Sequence, residues 1–211
     1  MHPYSIDTDE RVKVTAWMSI LSIILFYIIR YILSKLSISF PDIIGGPSLM
    51  GIFWFLYWGF DNYAWKWDLF RKINLVKTPI LKGTWSGKYY SKRRCQETNK
   101  IIETEGEVEL TIKQNWTTIS VIQENESSKS CSEVAGIATN DNMGVVLSYQ
   151  YKNETKFKNV ETMYSHIGFN KLYYNPEKQT LEGNYFTDKS RQTYGTVCYK
   201  KNSIASVKCQ T

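Results

Sequence analysis

The chain has 211 residues, 43% of them hydrophobic, and a net charge of +6; this length allows a pair of membrane spans and one ordinary domain but excludes two large ones. A mean hydropathy of −0.35 would suit a soluble protein, yet the apolar residues crowd into the first third. From Thr78 onward 18 Lys and Arg face 14 Asp and Glu, a mild excess that admits an anionic ligand without calling for a DNA or RNA polymer.

Val12 to Leu33 is long and apolar enough to cross a bilayer, with Arg30 near its far end. It lacks the short apolar core and small-residue cleavage site of a signal peptide, so it reads as a retained first span. Arg30 is expected to snorkel toward the headgroups rather than face the interior of an assembly. The segment Ser34 to Ile44 carries one lysine and one aspartate, and Pro41, Gly45, Gly46 and Pro47 suit a short turn. A second helix from about Pro47 to Trp67 would be roughly 30 Å long, the thickness of a hydrocarbon core plus part of one interface. Tyr63, Trp65 and Trp67 then form an aromatic belt, with Lys66, Arg71 and Lys72 just beyond it.

Arg11 and Lys13 lie at the N-terminal edge of the first span, and Lys66, Arg71, Lys72 and Lys77 at the exit of the second, so the positive-inside rule places both termini in the cytoplasm. Residues 1–72 are therefore expected to form a two-helix membrane hairpin with a cytosolic tail, and residues 73–211 a cytosolic domain. Gly51 and Gly59, with Ser19 and Ser22, offer close helix approach. A two-span hairpin has too little interior to transport alone, so any passage needs several copies.

After Pro79 the texture becomes short runs of period-two alternation. Eight are predicted, near residues 81–91, 105–113, 117–124, 130–139, 144–151, 164–174, 180–187 and 192–201. The fold class is thus a helical membrane hairpin plus an all-β domain, an eight-stranded antiparallel up-and-down barrel of lipocalin-like type. If Trp85 points inward, so do Gly83, Gly87 and Tyr89. The same parity turns Val145, Leu147, Tyr149 and Tyr151 inward, as it does Leu181, Gly183 and Tyr185, and Gly195, Val197 and Tyr199. Phenols in such an interior either find core hydrogen bonds or line a polar cavity.

Cys95, Cys131, Cys198 and Cys209 show no Cys-x-x-Cys pair, which argues for reduced thiols and against a zinc site. The sequons at Asn115, Asn125 and Asn153 would matter only in a secreted domain. Lys92-Arg93-Arg94 is expected as a solvated hairpin loop. His166 next to Ser165 has no acidic partner at a triad spacing, and no hydrolase motif is visible, so an enzyme is not expected.

Two N-terminal spans, then Pro79-Ile-Leu-Lys-Gly-Thr-Trp-Ser-Gly-Lys-Tyr89 opening a barrel and Leu181-Glu-Gly-Asn-Tyr-Phe-Thr-Asp-Lys-Ser-Arg-Gln-Thr-Tyr-Gly195 closing it, resemble the two-transmembrane β-barrel effectors of bacterial anti-phage defence. Those effectors belong to CD-NTase signalling (CBASS) and to a related system built on a minimal CRISPR-type polymerase. The resemblance implies a cytosolic barrel that binds a cyclic dinucleotide from a partner synthase and controls assembly of membrane helices into a homo-oligomer that breaches the bacterial inner membrane. No cofactor and no metal are expected beside that ligand.

Such a ligand needs stacking platforms for two bases and cations or N–H donors for two phosphodiesters. Tyr89, Tyr149, Tyr151 and Tyr185 are the inward candidates, either as platforms or as core tyrosines. Arg191, flanked by Thr187 and Thr193 in the last connection, can fold over the mouth onto a phosphate. Two other readings stand beside this one: a membrane-anchored lipocalin-like binder of an apolar small molecule, which needs an aliphatic cavity, and a structural anchor, which needs a filled barrel.

Overall fold

Composition divides the chain, and so does its folding: residues 8–77 form one unit, and Met1–Asp7 join the chain from Thr78 onward in the other. A computed structural model describes residues 1–37, 45–94, 100–141, 144–155, 165–189 and 191–202. The expected turn around Pro41, the start of the sixth predicted strand at Tyr164, and Cys95 and Cys209 lie outside the described residues.

In the helical unit, α1 spans Glu10–Lys35, 26 residues without Gly or Pro and about 39 Å long. Its Ile20, Ile24, Tyr27, Ile28 and Tyr31 are exposed. Among the described residues α1 is the one helix long and apolar enough to cross a membrane. At its start, the buried Glu10 carboxylate accepts the Lys77 N–H at 2.6 Å, tying the two ends of the unit together.

The expected Pro47–Trp67 helix is shorter. α2 covers Gly45–Asn62, about 27 Å, and is followed by a 3₁₀ turn at Ala64–Lys66 and a short α3 at Asp68–Lys72. Asn62 Nδ2 donates back to Trp58 O at 2.8 Å, and Tyr63 leaves helical geometry with φ −130°. Trp65 is then fully buried instead of joining a belt, while Tyr63 and Trp67 remain exposed. The glycine expectation also changes, because a Cβ at Gly51 or Gly59 would meet nothing within 4 Å, whereas one at Gly45 would lie 3.5 Å from Phe26. Ser19 and Ser22 donate within their own helix, to Thr15 O and Ser19 O.

The β unit has nine described strands, not eight: β1 His2–Ile6, β2 Gly83–Arg94, β3 Ile101–Gln114, β4 Thr118–Glu124, β5 Ser128–Asp141, β6 Gly144–Thr155, β7 His166–Asn175, β8 Thr180–Thr187 and β9 Thr193–Lys201. All eight predicted runs are strands, and Lys92-Arg93-Arg94 extends β2 instead of forming a loop. Consecutive strands from β2 to β9 pair antiparallel, and β9 pairs back onto β2, so the sheet closes on itself.

The extra strand comes from the supposed tail, and it breaks the all-antiparallel expectation. β4 and β5 pair only over Ile122–Glu124 and Lys129–Cys131; beyond that they part and β1 fills the gap. It runs antiparallel to β4 (His2↔Ile119) and parallel to β5 (Tyr4↔Ala135, Ile6↔Ile137). Gly136 makes room, since a Cβ there would sit 2.7 Å from Ser5 Oγ. Tyr4, 3% exposed, enters the core and donates its hydroxyl to Trp116 O at 2.7 Å; Asp7 accepts from Thr139 N and Oγ1, both at 2.9 Å.

Tyr4→Ala should therefore lower the stability of the β unit by about 3–5 kcal/mol, the usual cost of deleting a buried aromatic ring. Thermal melting of the detergent-solubilised full chain checks this, and a melt unchanged from wild type would mean that β1 does not hold the sheet.

Candidate functional site

The inward-facing rows of the closed sheet share one gradient. At the end where Gly83 and Ile6 lie, Trp85, Leu110, Leu147, Leu172, Leu181 and Tyr199 are all fully buried. Trp85 plugs this floor, with Nε1 donating to Leu81 O at 3.1 Å and Tyr174 against its ring. Toward the opposite end each row finishes on a small polar or basic side chain: Ser91, Thr104, Gln123, Ser130, Asn153, His166, Thr187 and Thr193, one from each strand β2 to β9. A cavity of about 230 Å³ lies among them, completed by Asn125 and Ser127 from the β4–β5 turn, by Ser128 at the start of β5, by Arg191, and by Tyr89, Tyr151 and Tyr185.

Each of the three tyrosines lies directly across a strand pair from a glycine: Tyr89↔Gly106, Tyr151↔Gly168 and Tyr185↔Gly195. A Cβ on any of these glycines would collide with the tyrosine ring. The missing side chain lets each phenol lie back along the wall, which keeps the middle of the cup open.

Six of the seven residues expected from the sequence are thus brought together: Tyr89, Tyr151, Tyr185, Thr187, Arg191 and Thr193. Tyr149 is not among the lining residues. It sits one row deeper, 1% exposed, and accepts from Asn170 Nδ2 at 2.7 Å, as a core tyrosine does. Of the missed residues, Ser91, Gln123 and Asn153 continue their period-two rows one step past the last apolar side chain, and Thr104 and His166 lie further along theirs beyond a glycine. Asn125 and Ser127 sit between β4 and β5, and Ser128 and Ser130 are put out of phase with Ala135 and Ile137 by a register shift between Ser132 and Val134.

Polar order in the cup is specific. Thr187 Oγ1 accepts Thr193 N–H at 2.9 Å, holding the last hairpin closed at the rim. Arg191 donates its own N–H to Asp188 O, and its Nη1 lies 3.4 Å from His166 Nδ1. Asp188 anchors the same loop by accepting Ile167 N–H at 3.0 Å. Burial, and then neighbouring Arg93, lower the Arg191 pKa, as expected of a guanidinium short of counter-charge. No carboxylate is among the described lining residues. Ser165 Oγ is spent on Asn153 O, so the adjacent Ser165 and His166 do not form the hydroxyl–imidazole pair of a nucleophile.

A cup of this kind, rich in donors and without a carboxylate in its described lining, has the make-up of a receptor for a small anionic molecule. Comparison with known proteins agrees: residues 76–201 match the family model described as "Cap15, cyclic dinucleotide receptor domain", a span that contains every cup residue. Over 150 residues the chain is 31% identical to CD-NTase-associated protein 15 of Yersinia aleksiciae, covering 71% of this chain and 67% of that protein. The chain belongs to the Cap15 family of CBASS effectors, as the segments around Trp85 and Tyr185 led us to expect.

Burial raises the pKa of Tyr149, Tyr151 and Tyr199 above the ordinary phenol value of 10.0. Below pH 10 their stabilising contribution is complete. Above it the unfolded chain gives up protons that the folded chain retains, so stability falls as pH rises. Tyr199 OH also has no hydrogen-bond partner among the described residues. Tyr199→Phe should therefore raise stability by about 1 kcal/mol at neutral pH and shrink the loss between pH 9 and 11, as followed by denaturant melts.

Proposed function

We propose that the cup binds one cyclic dinucleotide and that this occupancy controls how the helical units of several copies assemble and disrupt the bacterial inner membrane. The observation that carries the reading is the buried polar mouth with Arg191 at its edge and three phenols laid along its wall. Phenol faces can stack on bases at about 1–3 kcal/mol each, and Arg191 can meet a phosphodiester. A cavity of about 230 Å³ is smaller than the roughly 300–1,000 Å³ of most small-molecule pockets, so the ligand fills the cup and rises above its rim. The closed sheet acts as a lipocalin-like barrel that binds but does not catalyse. Among the described lining residues none is aliphatic, which argues against an apolar guest.

Connectivity supports two crossings. β1 and β2 belong to one sheet, so the chain leaves it after Ile6 and returns from Thr78. If α1 crosses a bilayer, the chain must cross again, and α2 is the helix available among the described residues; its 18 residues fall within the range that can span. Arg11 and Lys13 at one end and Lys66, Arg71 and Lys72 at the other then favour a cytoplasmic β unit.

Calorimetry of the detergent-solubilised full chain against a panel of cyclic dinucleotides tests the reading; a fragment starting at Pro79 would lack β1. One ligand per chain is expected, with Arg191→Ala weakening it about 10- to 100-fold, the worth of a charge-assisted hydrogen bond. Absence of heat with every cyclic dinucleotide would overturn it. Dye entry into bacteria expressing the chain with and without a synthase reports the membrane step and the sign of control.

A further inference from the structure

The amides of the cup are not turned at random. Asn153 is 3% exposed; its Oδ1 accepts from Ser130 Oγ at 2.7 Å, and its Nδ2 has no partner among the described residues. Its position is set by register, since it pairs with Ser130 on one side and His166 on the other. At the rim, Asn125 Oδ1 accepts Ser127 N–H at 2.9 Å and Ser128 N–H at 2.7 Å. Gln123 Oε1 accepts from Asn170 Nδ2 at 3.3 Å, so all three amide oxygens of the described lining are committed to the protein's own groups. With Arg191 a pure donor and carboxylates absent from the described lining, the fixed groups of the cup mostly donate.

We infer that Asn153 reads a base: its Nδ2–H donates to an exocyclic oxygen, so the cup prefers cyclic dinucleotides carrying uracil or guanine over one built from two adenines. This rests on the receptor reading above. A phosphodiester is better met by Arg191, which brings charge, than by a neutral amide. An amide that recognises adenine uses both ends, its oxygen accepting from N6 and its nitrogen donating to N7. Here Ser130 holds the oxygen, and of the two amide ends only the Nδ2 donor is left for a guest, which suits an oxo group. At the exocyclic position adenine presents its own N6–H donor, so it would meet the buried Nδ2–H donor to donor, and that is what disfavours it.

Calorimetry on the detergent-solubilised full chain with cyclic di-UMP, cyclic di-GMP and cyclic di-AMP, which share their phosphodiester chemistry, separates the possibilities. At least one of the two oxo-base ligands should bind about tenfold or more tightly than cyclic di-AMP. Asn153→Leu should weaken that ligand about tenfold and leave cyclic di-AMP within about threefold, narrowing the ratio. Ser130→Ala, which releases the amide oxygen, should narrow the same ratio while binding persists, and it serves where Asn153→Leu does not fold. Equal or tighter wild-type affinity for cyclic di-AMP, or a uniform loss across all three ligands in the variants, would overturn the assignment and leave the receptor reading standing. If none of the three binds wild type, the assignment fails, and the receptor reading is then decided by the wider panel of cyclic dinucleotides.

Discussion

Closing eight antiparallel strands into a ring creates an interior that must be filled or left hollow, and the side chains along each inward row decide which. Here the rows are graded. Trp85, Leu147, Leu172, Leu181 and Tyr199 fill one end without exposed surface, whereas Ser91, Asn153, His166 and Thr193 leave the other short of volume. Tyrosines occupy the middle of the gradient, each lying back over a glycine across the strand pair. The cup is therefore a consequence of side-chain size along the strands, helped by one register shift in β5 between Ser132 and Val134 that lets Ser130 line the cup while Ala135 and Ile137 join the core.

The same closure explains why the first residues matter. β4 and β5 carry Gln123, Ser128 and Ser130 where they meet, then separate, and β1 occupies the opening. A gap of that kind would expose unpaired backbone groups along two strands. Tyr4 fills it below with its ring and hydroxyl, and Asp7 ties its end to Thr139. Because α1 starts at Glu10, only three residues separate the wedge from the helix that can cross a membrane, so the helical unit is an insertion between the first and second strands of one sheet.

Much of this was legible. Period two located all eight later strands, and parity placed Trp85, Tyr89, Tyr151 and Tyr185 inward, because a one-face-buried strand writes its orientation into alternate residues. β1 was not legible: His2-Pro-Tyr-Ser-Ile6 is too short to show alternation, its Pro3 disfavours a central strand, and its partners lie more than a hundred residues away. The break after Asn62 was hidden by a run of aromatics that reads as continuous helix until Trp65 turns into the fold. Tyr149 and Tyr151 looked alike because parity gives the side a residue faces but not its depth. The polar rim escaped because an apolar signal ends where polar residues begin, although the period itself continues to Asn153.

Depth also separates structural polar groups from those that await a guest. Gln114 is a buried amide with both ends satisfied: Nε2 donates to Pro79 O at 3.0 Å and Oε1 accepts Leu81 N–H at 2.8 Å. It fastens the incoming chain to β3 and has nothing left to offer. Asn153 is nearly as buried, yet its Nδ2 has no partner among the described residues. Six of the twelve buried polar side chains among the described residues (Ser91, Ser128, Ser130, Asn153, His166 and Thr193) line the cup, so the desolvation cost is concentrated where a bound molecule can return hydrogen bonds. A core that sought only stability would have placed apolar side chains there; on the proposed reading the protein gives up stability at the mouth of the cup, and an occupant restores it in proportion to how well it pairs.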